Sequence, residues 1–224
     1  MRPIKVLWLK KIVDALILWV QEDYNIKVAD NREEDSFLYR YLNGNTEGDY
    51  DFYVQAKAIF LRDQKSPRQI RTSLMFNKDI KGTPHVHVRE PAKSKGQYNS
   101  IGGGMGNIIM NTDGSYNDTF RDSKRASYDI VITSDNPLDT VLISEVLYAL
   151  LWGANSTLSD EFGLFDLGMK ELMMENHLVP IQLYIKAITM DVQFDNEMMG
   201  LTGDIPVIDI NLNNPTILNS NIYE

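Results

Sequence analysis

One stretch, residues 127–153, constrains the fold more than any other part of the chain. It opens with a run of β-branched and aromatic residues over 128–133, which predicts a strand. Asn136 then stands before a proline, which is a helix-start signal, and apolar residues recur at helical spacing up to the final glycine. A later run, residues 180–194, has the alternation of a long half-buried strand. Together these segments predict a β-α-β unit around one core.

The N-terminal segment predicts a second helix that packs on this unit. Apolar residues recur at helical spacing over 5–24. The apolar run at 12–20 is interrupted by Asp14 and is too short to span a bilayer. It therefore predicts a core helix, with no signal peptide and no membrane contact.

Three other segments carry strand or helix patterns. Residues 83–90, TPHVHVRE, predict a strand that begins at its proline. Residues 101–120 contain two apolar runs around an Asn-Thr-Asp-Gly turn, which predicts a hairpin. Residues 50–62 predict an amphipathic helix.

Polar and glycine-containing segments predict the connections between these elements. Loops are expected over 91–100 and 121–126, and a linker over 156–160. The Met-rich segment 164–176 predicts a short helix or an irregular layer.

Two segments leave the choice of helix or strand open. Residues 37–41 suit either a strand or a helical turn. Residues 66–69 contain a helix-start pattern, whereas the residues that follow, 70–76, are equally typical of a strand.

Charge is unevenly distributed along the chain. Residues 1–134 hold 20 of the 22 Lys and Arg and 17 of the 31 Asp and Glu, whereas residues 135–224 carry a net −12. Tight nucleic-acid binding is disfavoured because it needs a dense basic face. The acidic half suits solubility, contact with a basic partner, or a surface that repels phosphate so that DNA passes without sticking.

A basic cluster lies in the middle of the chain, and it has two interpretations. Its charges are either solvated in a loop or in contact with an acidic neighbour such as the C-terminal half of the next subunit. The cluster comprises Arg62, Lys65, Arg68, Arg71, Lys78 and Lys81.

The C-terminal residues 201–224 have too few apolar residues to fold alone. They are expected to be either disordered or an extended arm that adds to the sheet of a neighbouring subunit. In the second case the arm would present Ile205, Ile208 and Ile210. We expect residues 1–200 to form a single domain, with an insertion at about 23–82.

The histidines give the strongest candidate for chemistry. His85 and His87 alternate on one predicted strand, so both imidazoles lie on the same face, which is a geometry that metal ligands use. His177 or Glu90 could complete such a site, but no further carboxylates follow at ligand spacing. We therefore favour the polar face of an edge or interface strand, and keep a binding module or small metal-dependent enzyme as the alternative.

The glycine run at Gly102, Gly103 and Gly104 does not match a nucleotide-binding motif. It lacks the lysine of a phosphate-binding loop, and the residues after it are strand-like instead of helical. A flexible or subunit-contacting loop is expected here. The chain also has no cysteine and no G-x-S-x-G motif, so we expect no cofactor and no catalytic site.

The order of elements resembles the tail-terminator and neck ring proteins of tailed bacteriophages. The likeness is carried by the long N-terminal helix, the strand PHVHVRE, the glycine-rich hairpin, the segment YDIVITSDNPLDTVLISEVLYALLWG and the last strand VPIQLYIKAITMDVQF. It covers about residues 5–22 and 83–200. Size, asparagine content and the lack of cysteine are similar to neck proteins of crAss-like phages.

This resemblance implies an α+β subunit whose small antiparallel sheet has the N-terminal and central helices packed on one side. It also implies a virion structural protein, made in the host cytoplasm, that joins like copies in a closed sixfold or twelvefold ring in the neck or tail. The partners would be portal-adaptor, neck or tail proteins, with DNA passing through the lumen. Candidate subunit contacts are Arg68, Arg71, Lys78, Lys81, the glycine run and the three isoleucines of the arm.

Overall fold

The computed structural model describes residues 5–61, 68–74, 84–95, 108–110, 116–172 and 183–199. These residues form an α+β fold, which confirms the predicted class. Predictions for the glycine run, for the turn after Met110 and for the C-terminal arm fall on residues outside this part of the chain.

The described residues contain five α-helices, three near the N-terminus and two after the longest strand. They are α1 (Lys5–Ala29), α2 (Phe37–Leu42), α3 (Phe52–Phe60), α4 (Pro137–Gly153) and α5 (Asn155–Phe162). The predicted N-terminal helix is confirmed and continues to Ala29. Residues 37–41, for which a strand and a helical turn were both predicted, lie in helix α2. Ser36 caps this helix, because its Oγ accepts a hydrogen bond from the backbone N–H of Tyr39.

The strands form a small hairpin and a larger sheet. They are β1 (Thr46–Glu47), β2 (Tyr50–Asp51), β3 (Arg71–Leu74), β4 (His85–Lys95), β5 (Ile108–Met110), β6 (Tyr116–Ser134), β7 (Leu164–Glu171) and β8 (Tyr184–Met199). β1 and β2 pair with each other, and the larger sheet has the order β3-β4-β6-β8-β7, with β5 pairing to one end of β6. The predicted pairing of β5 with β6 is confirmed.

The larger sheet is mixed, so the prediction of an antiparallel sheet is wrong for one pair. β3 runs parallel to β4, with Arg71 opposite His85 and Leu74 opposite Val88. The remaining pairs are antiparallel. Parallel pairing requires a connection that returns the chain to the starting end of the sheet, and residues 75–83 lie between the two strands in sequence.

Two predicted loops are instead parts of long strands. β4 continues through 91–95, where a bulge between Arg89 and Ala92 accommodates the proline between them. β6 is continuous through 121–126, because its backbone pairs with β8 along that whole length. Polar side chains suggested loops, but a strand tolerates them where the backbone has a partner.

The segment after α4 also differs from the prediction. Residues 155–162 form helix α5 where a linker was expected, and Leu164–Glu171 form strand β7 where a helix or irregular layer was expected. β7 pairs with β8 from Leu164 opposite Gln193 to Glu171 opposite Lys186. This long-range pairing outweighs the weak local preference of a Met-rich segment.

The helix-covered face of the sheet holds the main core. Alternate residues of β4, β6 and β8, such as Val88, Ile130 and Ile188, pack there against the apolar sides of all five helices. α4 begins as predicted, since the Asn136 side chain accepts a hydrogen bond from the N–H of Leu138 at 3.0 Å and a proline follows it. The strand residues between these core residues, such as Val131 and Ala187, point to the other side of the sheet, which we call the second face.

No single helix of the described residues is long and apolar enough to cross a membrane. Length and composition alone would allow α4 and α5 to do so as a pair, with a bend of 71° between them.

Candidate functional site

Two of the predicted subunit-contact residues lie in the described part of the chain. Arg68 precedes β3, and Arg71 is exposed at the start of β3, opposite His85. Lys78, Lys81, the glycine run and the three isoleucines of the arm lie outside the described residues. The predicted contacts therefore remain predictions, and only the two arginines have a described environment.

Arg68 forms an internal ion pair with Asp139, a residue of the first turn of α4. Its Nη2 donates to both carboxylate oxygens, at 2.6 and 2.5 Å, and its Nη1 donates to Gln55 Oε1 at 2.6 Å. The Tyr50 hydroxyl donates to the same carboxylate at 2.6 Å. Asp139 is 1% exposed. Burial raises the pKa of Tyr50, and the hydrogen bond to Asp139 and the charge of that carboxylate act in the same direction. These hydrogen bonds hold the segment before β3, strand β2 and helix α3 against the start of α4.

His85 and His87 lie inside the sheet, which makes the prediction of an edge strand wrong. β4 stands between β3 and β6, and the two imidazoles stack on the second face with their centroids 4.3 Å apart. His87 is 0% exposed and His85 is 8% exposed. Ser73 of β3 lies between the rings, with its Oγ 2.9 Å from His87 Nδ1 and 3.1 Å from His85 Nε2.

The serine hydroxyl suits a pair of neutral histidines. Ser73 Oγ has one proton to donate, so it donates to one ring nitrogen and accepts from an N–H of the other ring. Burial lowers the pKa of His85 to about 4, and the adjacent His87 and Arg71 act in the same direction.

Among the described residues there is no group of three or more His, Cys, Asp or Glu that could hold a metal ion.

A second buried carboxylate lies on the same face. Asp129 of β6 is 1% exposed and accepts hydrogen bonds from Arg89 at 2.7 and 3.1 Å, and from Lys170 at 3.4 Å. These contacts join β4, β6 and β7 across the sheet. Asp129, like Asp139, thus has cationic partners within the chain, and removing those partners would leave a buried carboxylate uncompensated.

Exposed apolar side chains are concentrated on α1. Leu7, Leu18, Trp19, Ile26 and Val28 are each between 40% and 60% exposed. A surface helix ordinarily presents polar residues to solvent on its outer side, so five large apolar residues there are unusual. They favour a surface that another protein molecule covers.

An aromatic ladder continues this surface from α1 onto α2. Trp19 meets the ring of Phe37 edge-on at 5.7 Å, and Phe37 stacks on Tyr41 at 5.6 Å. Trp19 and Tyr41 are 48% and 40% exposed. Tyr41 also lines a wider groove, so the aromatic ladder and this groove share a residue.

We call that wider groove the hairpin groove, since the β1–β2 hairpin forms one of its walls. It has a volume of about 770 Å³ and is lined by the end of α2, residues 44–47, Phe52 and the first turns of α4. Leu138, Leu142 and Glu145 point into it from one side of α4, at helical spacing. Burial and the negative charge of Glu145 raise the pKa of Tyr41.

Sequence patterns did not predict this groove. Its walls come from residues nearly one hundred positions apart, such as Glu47 and Glu145, and only the tertiary fold places them together. The glycines at 44 and 48, both with positive φ, were the available signal, since they allow the tight hairpin. The aromatic ladder had a local signal in the sequence FLYRY, for which the sequence left the choice between a strand and a helical turn open.

Comparison with known protein families and with curated proteins found no family model and no curated sequence that matches the chain.

Proposed function

We propose that this chain is a virion structural protein whose copies form a closed ring in the neck or tail of a bacteriophage. The ring would connect the portal side to the tail and let DNA pass, and the subunit would catalyse no reaction. The observation that carries the proposal is the apolar outer side of α1, where Leu18, Trp19 and Ile26 are 44%, 48% and 60% exposed. Such a surface is expected of a subunit that is completed by its neighbours.

The arrangement of elements supports the same proposal. A long N-terminal helix and a capped central helix pack on one side of a sheet, as the resemblance to tail-terminator and neck ring proteins implies. The segments that carry the resemblance, PHVHVRE and the strand that leads into α4, form β4, β6 and α4. This supports the coarse architecture, and the finer assignment to that family is part of the proposal.

Charge supports a ring joined by two different surfaces on each subunit. Contacts that close a ring are heterologous, so one surface of a subunit must complement a different surface of the next. Residues 1–134 are net +3 and residues 135–224 are net −12, which gives the chain two parts of opposite charge. An acidic lumen would also repel the phosphates of duplex DNA.

Native mass spectrometry and negative-stain microscopy of the purified chain test the proposal. We expect closed rings of about six or twelve copies, as cyclic symmetry requires. A chain that stays monomeric at concentrations well above those in an infected cell would contradict it. Addition of the portal-side or tail proteins encoded by the same virus should then give a complex that contains the ring.

The alternative function, a metal-dependent enzyme or binding module that uses His85 and His87, has less support. Both rings are buried and each bonds to Ser73. A monomer that retains one zinc ion per chain, and loses it when both histidines are replaced, would favour this alternative.

A further inference from the structure

We propose that α1 pairs antiparallel with α1 of a second copy of this chain, about a twofold axis that passes between residues 16 and 17. The contact is isologous, because the same surface serves both copies. It goes beyond the proposed ring, whose closing contacts are heterologous, and names a second kind of contact for the subunit.

The outer side of α1 carries a continuous row of exposed residues. Their intervals of four, four, three, four and four positions follow one side of a helix for about 28 Å. The buried residues Leu9, Val13 and Val20 lie on the opposite side and belong to the main core. We call the exposed row the α1 stripe, and it comprises Leu7, Lys11, Ala15, Leu18, Glu22 and Ile26.

The α1 stripe is complementary to itself when two copies run antiparallel. With the axis between residues 16 and 17, Leu7 of one copy faces Ile26 of the other. Lys11 then faces Glu22, and Ala15 faces Leu18 in the middle. Because the contact is twofold, each of these three contacts occurs twice.

Charge determines the orientation of the pair. Neither Lys11 nor Glu22 has an ion pair or a side-chain hydrogen bond within the described residues. The antiparallel pair brings each lysine opposite a glutamate, which is favourable. A parallel pair in register would place Lys11 against Lys11 and Glu22 against Glu22, and like charges repel.

Charge also determines the register. Moving one helix by a turn in one direction places Lys11 opposite Leu18 and Glu22 opposite Leu7. Moving it by a turn in the other direction places them opposite Ile26 and Ala15. Both shifts remove water from a charge without giving it a partner, which costs free energy.

The apolar residues of the stripe have complementary sizes. The small side chain of Ala15 leaves room for Leu18 of the other copy, so the helix axes can approach to about 8–10 Å. Leu7, Leu18 and Ile26 are 40%, 44% and 60% exposed in the single chain. Covering them removes apolar surface from water at both ends and in the middle of the contact.

The contact is small, so its strength depends on how many copies act together. A single pair of helices falls at the low end of interface sizes, and free subunits should pair only weakly. Two rings of six that meet through α1 would form six such contacts at once, which strengthens the association. Such a double ring contains twelve copies with dihedral symmetry.

A charge-exchange experiment tests the pairing by sedimentation velocity. Lys11→Glu and Glu22→Lys, each alone, place like charges opposite each other, so each should pair at least tenfold more weakly than the wild type. The double variant should regain most of the loss. An equimolar mixture of the two single variants should also pair, because every glutamate then faces a lysine. Equal pairing by the wild type and both single variants would overturn the proposal.

A matched control separates the stripe from general charge effects. The two single variants change the net charge in opposite directions, so a common loss cannot come from net charge alone. Glu34 is exposed and lies outside α1, and Glu34→Lys changes the net charge as Glu22→Lys does. It should pair within about twofold of the wild type, and a loss equal to that of Glu22→Lys would contradict the proposal. Thermal melting shows that each variant is folded.

Cross-linking tests the register. The chain has no cysteine, so Leu7→Cys and Ile26→Cys each introduce the only thiol. A mixture of the two variants, treated with a short bismaleimide, should give a heterodimer. Each variant alone should give little dimer, because two copies of residue 7 would lie about 28 Å apart along the pair. Efficient cross-linking of Leu7→Cys to itself would show a parallel pair and overturn the proposal.

The outcomes also separate this contact from the ring. If the wild type forms rings but the cysteine mixture gives no heterodimer, the pairing is wrong and the ring function stands. If the mixture cross-links while no closed ring forms, the pairing stands and the ring function is wrong. If neither is seen at any concentration, both are wrong.

Discussion

Arg68 and Asp139 are 71 positions apart in sequence, yet the arginine Nη2 lies within 2.6 Å of both oxygens of the buried carboxylate. The arginine is 38% exposed and the aspartate is 1% exposed. The pair ties the segment before β3 to the first turn of α4. Arg68 was predicted to contact another subunit, but in the described structure its guanidinium already bonds to groups of its own chain.

Replacing Arg68 should therefore destabilise the monomer itself. Arg68→Ala leaves the Asp139 carboxylate buried without its cationic partner, while the Tyr50 and Ser134 hydroxyls still donate to it. Loss of one partner of a buried pair costs about 3–5 kcal/mol, and partial exposure of the arginine reduces this to roughly 2–3 kcal/mol. Urea denaturation followed by circular dichroism measures the free energy of unfolding.

The surface pair Arg32–Asp35 provides the matched control for this prediction. Both of its side chains are exposed, at 57% and 42%. Arg32→Ala should change the free energy of unfolding by less than about 1 kcal/mol. Equal effects of the two substitutions would mean that the Arg68–Asp139 pair contributes no more than an exposed one.

The cap of α4 could be predicted because its signal is local. Asn136 and the proline after it determine the start of the helix regardless of the rest of the fold. β7 could not be predicted in this way, because its eight residues become a strand only through pairing with β8. Strand propensity depends on such partners, and the Met-rich composition of β7 is locally ambiguous.

The same distinction applies to the candidate site. His85 and His87 could be placed on one side of a strand from their alternation, and this is confirmed. Their burial between β3 and β6 could not be foreseen, since it depends on a short parallel strand and on the position of Ser73. The acidic walls of the hairpin groove have the same origin in tertiary structure.

The histidine pair should make the protein sensitive to mild acid. The pKa of His85 is about 4 in the folded protein, against an ordinary value of 6.5. Between these values the unfolded chain binds a proton that the folded protein does not, so the free energy of unfolding falls as the pH decreases. The loss should begin below about pH 6.5, reach roughly 2–3 kcal/mol near pH 4, and contribute nothing above pH 7.

The variant His85→Gln isolates this effect from the titration of carboxylates. Its free energy of unfolding should depend less on pH between about 6.5 and 4 than that of the wild type. The difference in slope is the quantity to measure, because the substitution also changes packing against His87. Parallel curves for the two proteins across this range would show that His85 does not carry the acid sensitivity.

Two glycines at the ends of α4 and α5 should respond oppositely to alanine. Gly163 has φ 79° and ψ −145°, and a Cβ there would lie 3.0 Å from the carbonyl oxygen of Gln193. Gly163→Ala should therefore destabilise the protein by about 1–3 kcal/mol. Gly153 has no atom within 4 Å of a Cβ, so Gly153→Ala should be neutral or stabilising by up to about 1 kcal/mol. Thermal melting of both variants gives the comparison.

The outer side of α1 should matter for assembly and little for the stability of the monomer. Leu18 and Ile26 are 44% and 60% exposed, so replacing both with serine removes little buried surface within the subunit. If a neighbouring subunit covers them, Leu18→Ser with Ile26→Ser should weaken ring assembly at least tenfold, since buried apolar anchors dominate the energy of protein interfaces. The matched variant, Val54→Ser with Met169→Ser, alters exposed apolar positions on α3 and β7 and should assemble like the wild type. Sedimentation velocity over a range of concentrations measures assembly, and thermal melting measures the monomer. Unchanged assembly of the first variant would mean that the outer side of α1 faces solvent in the ring.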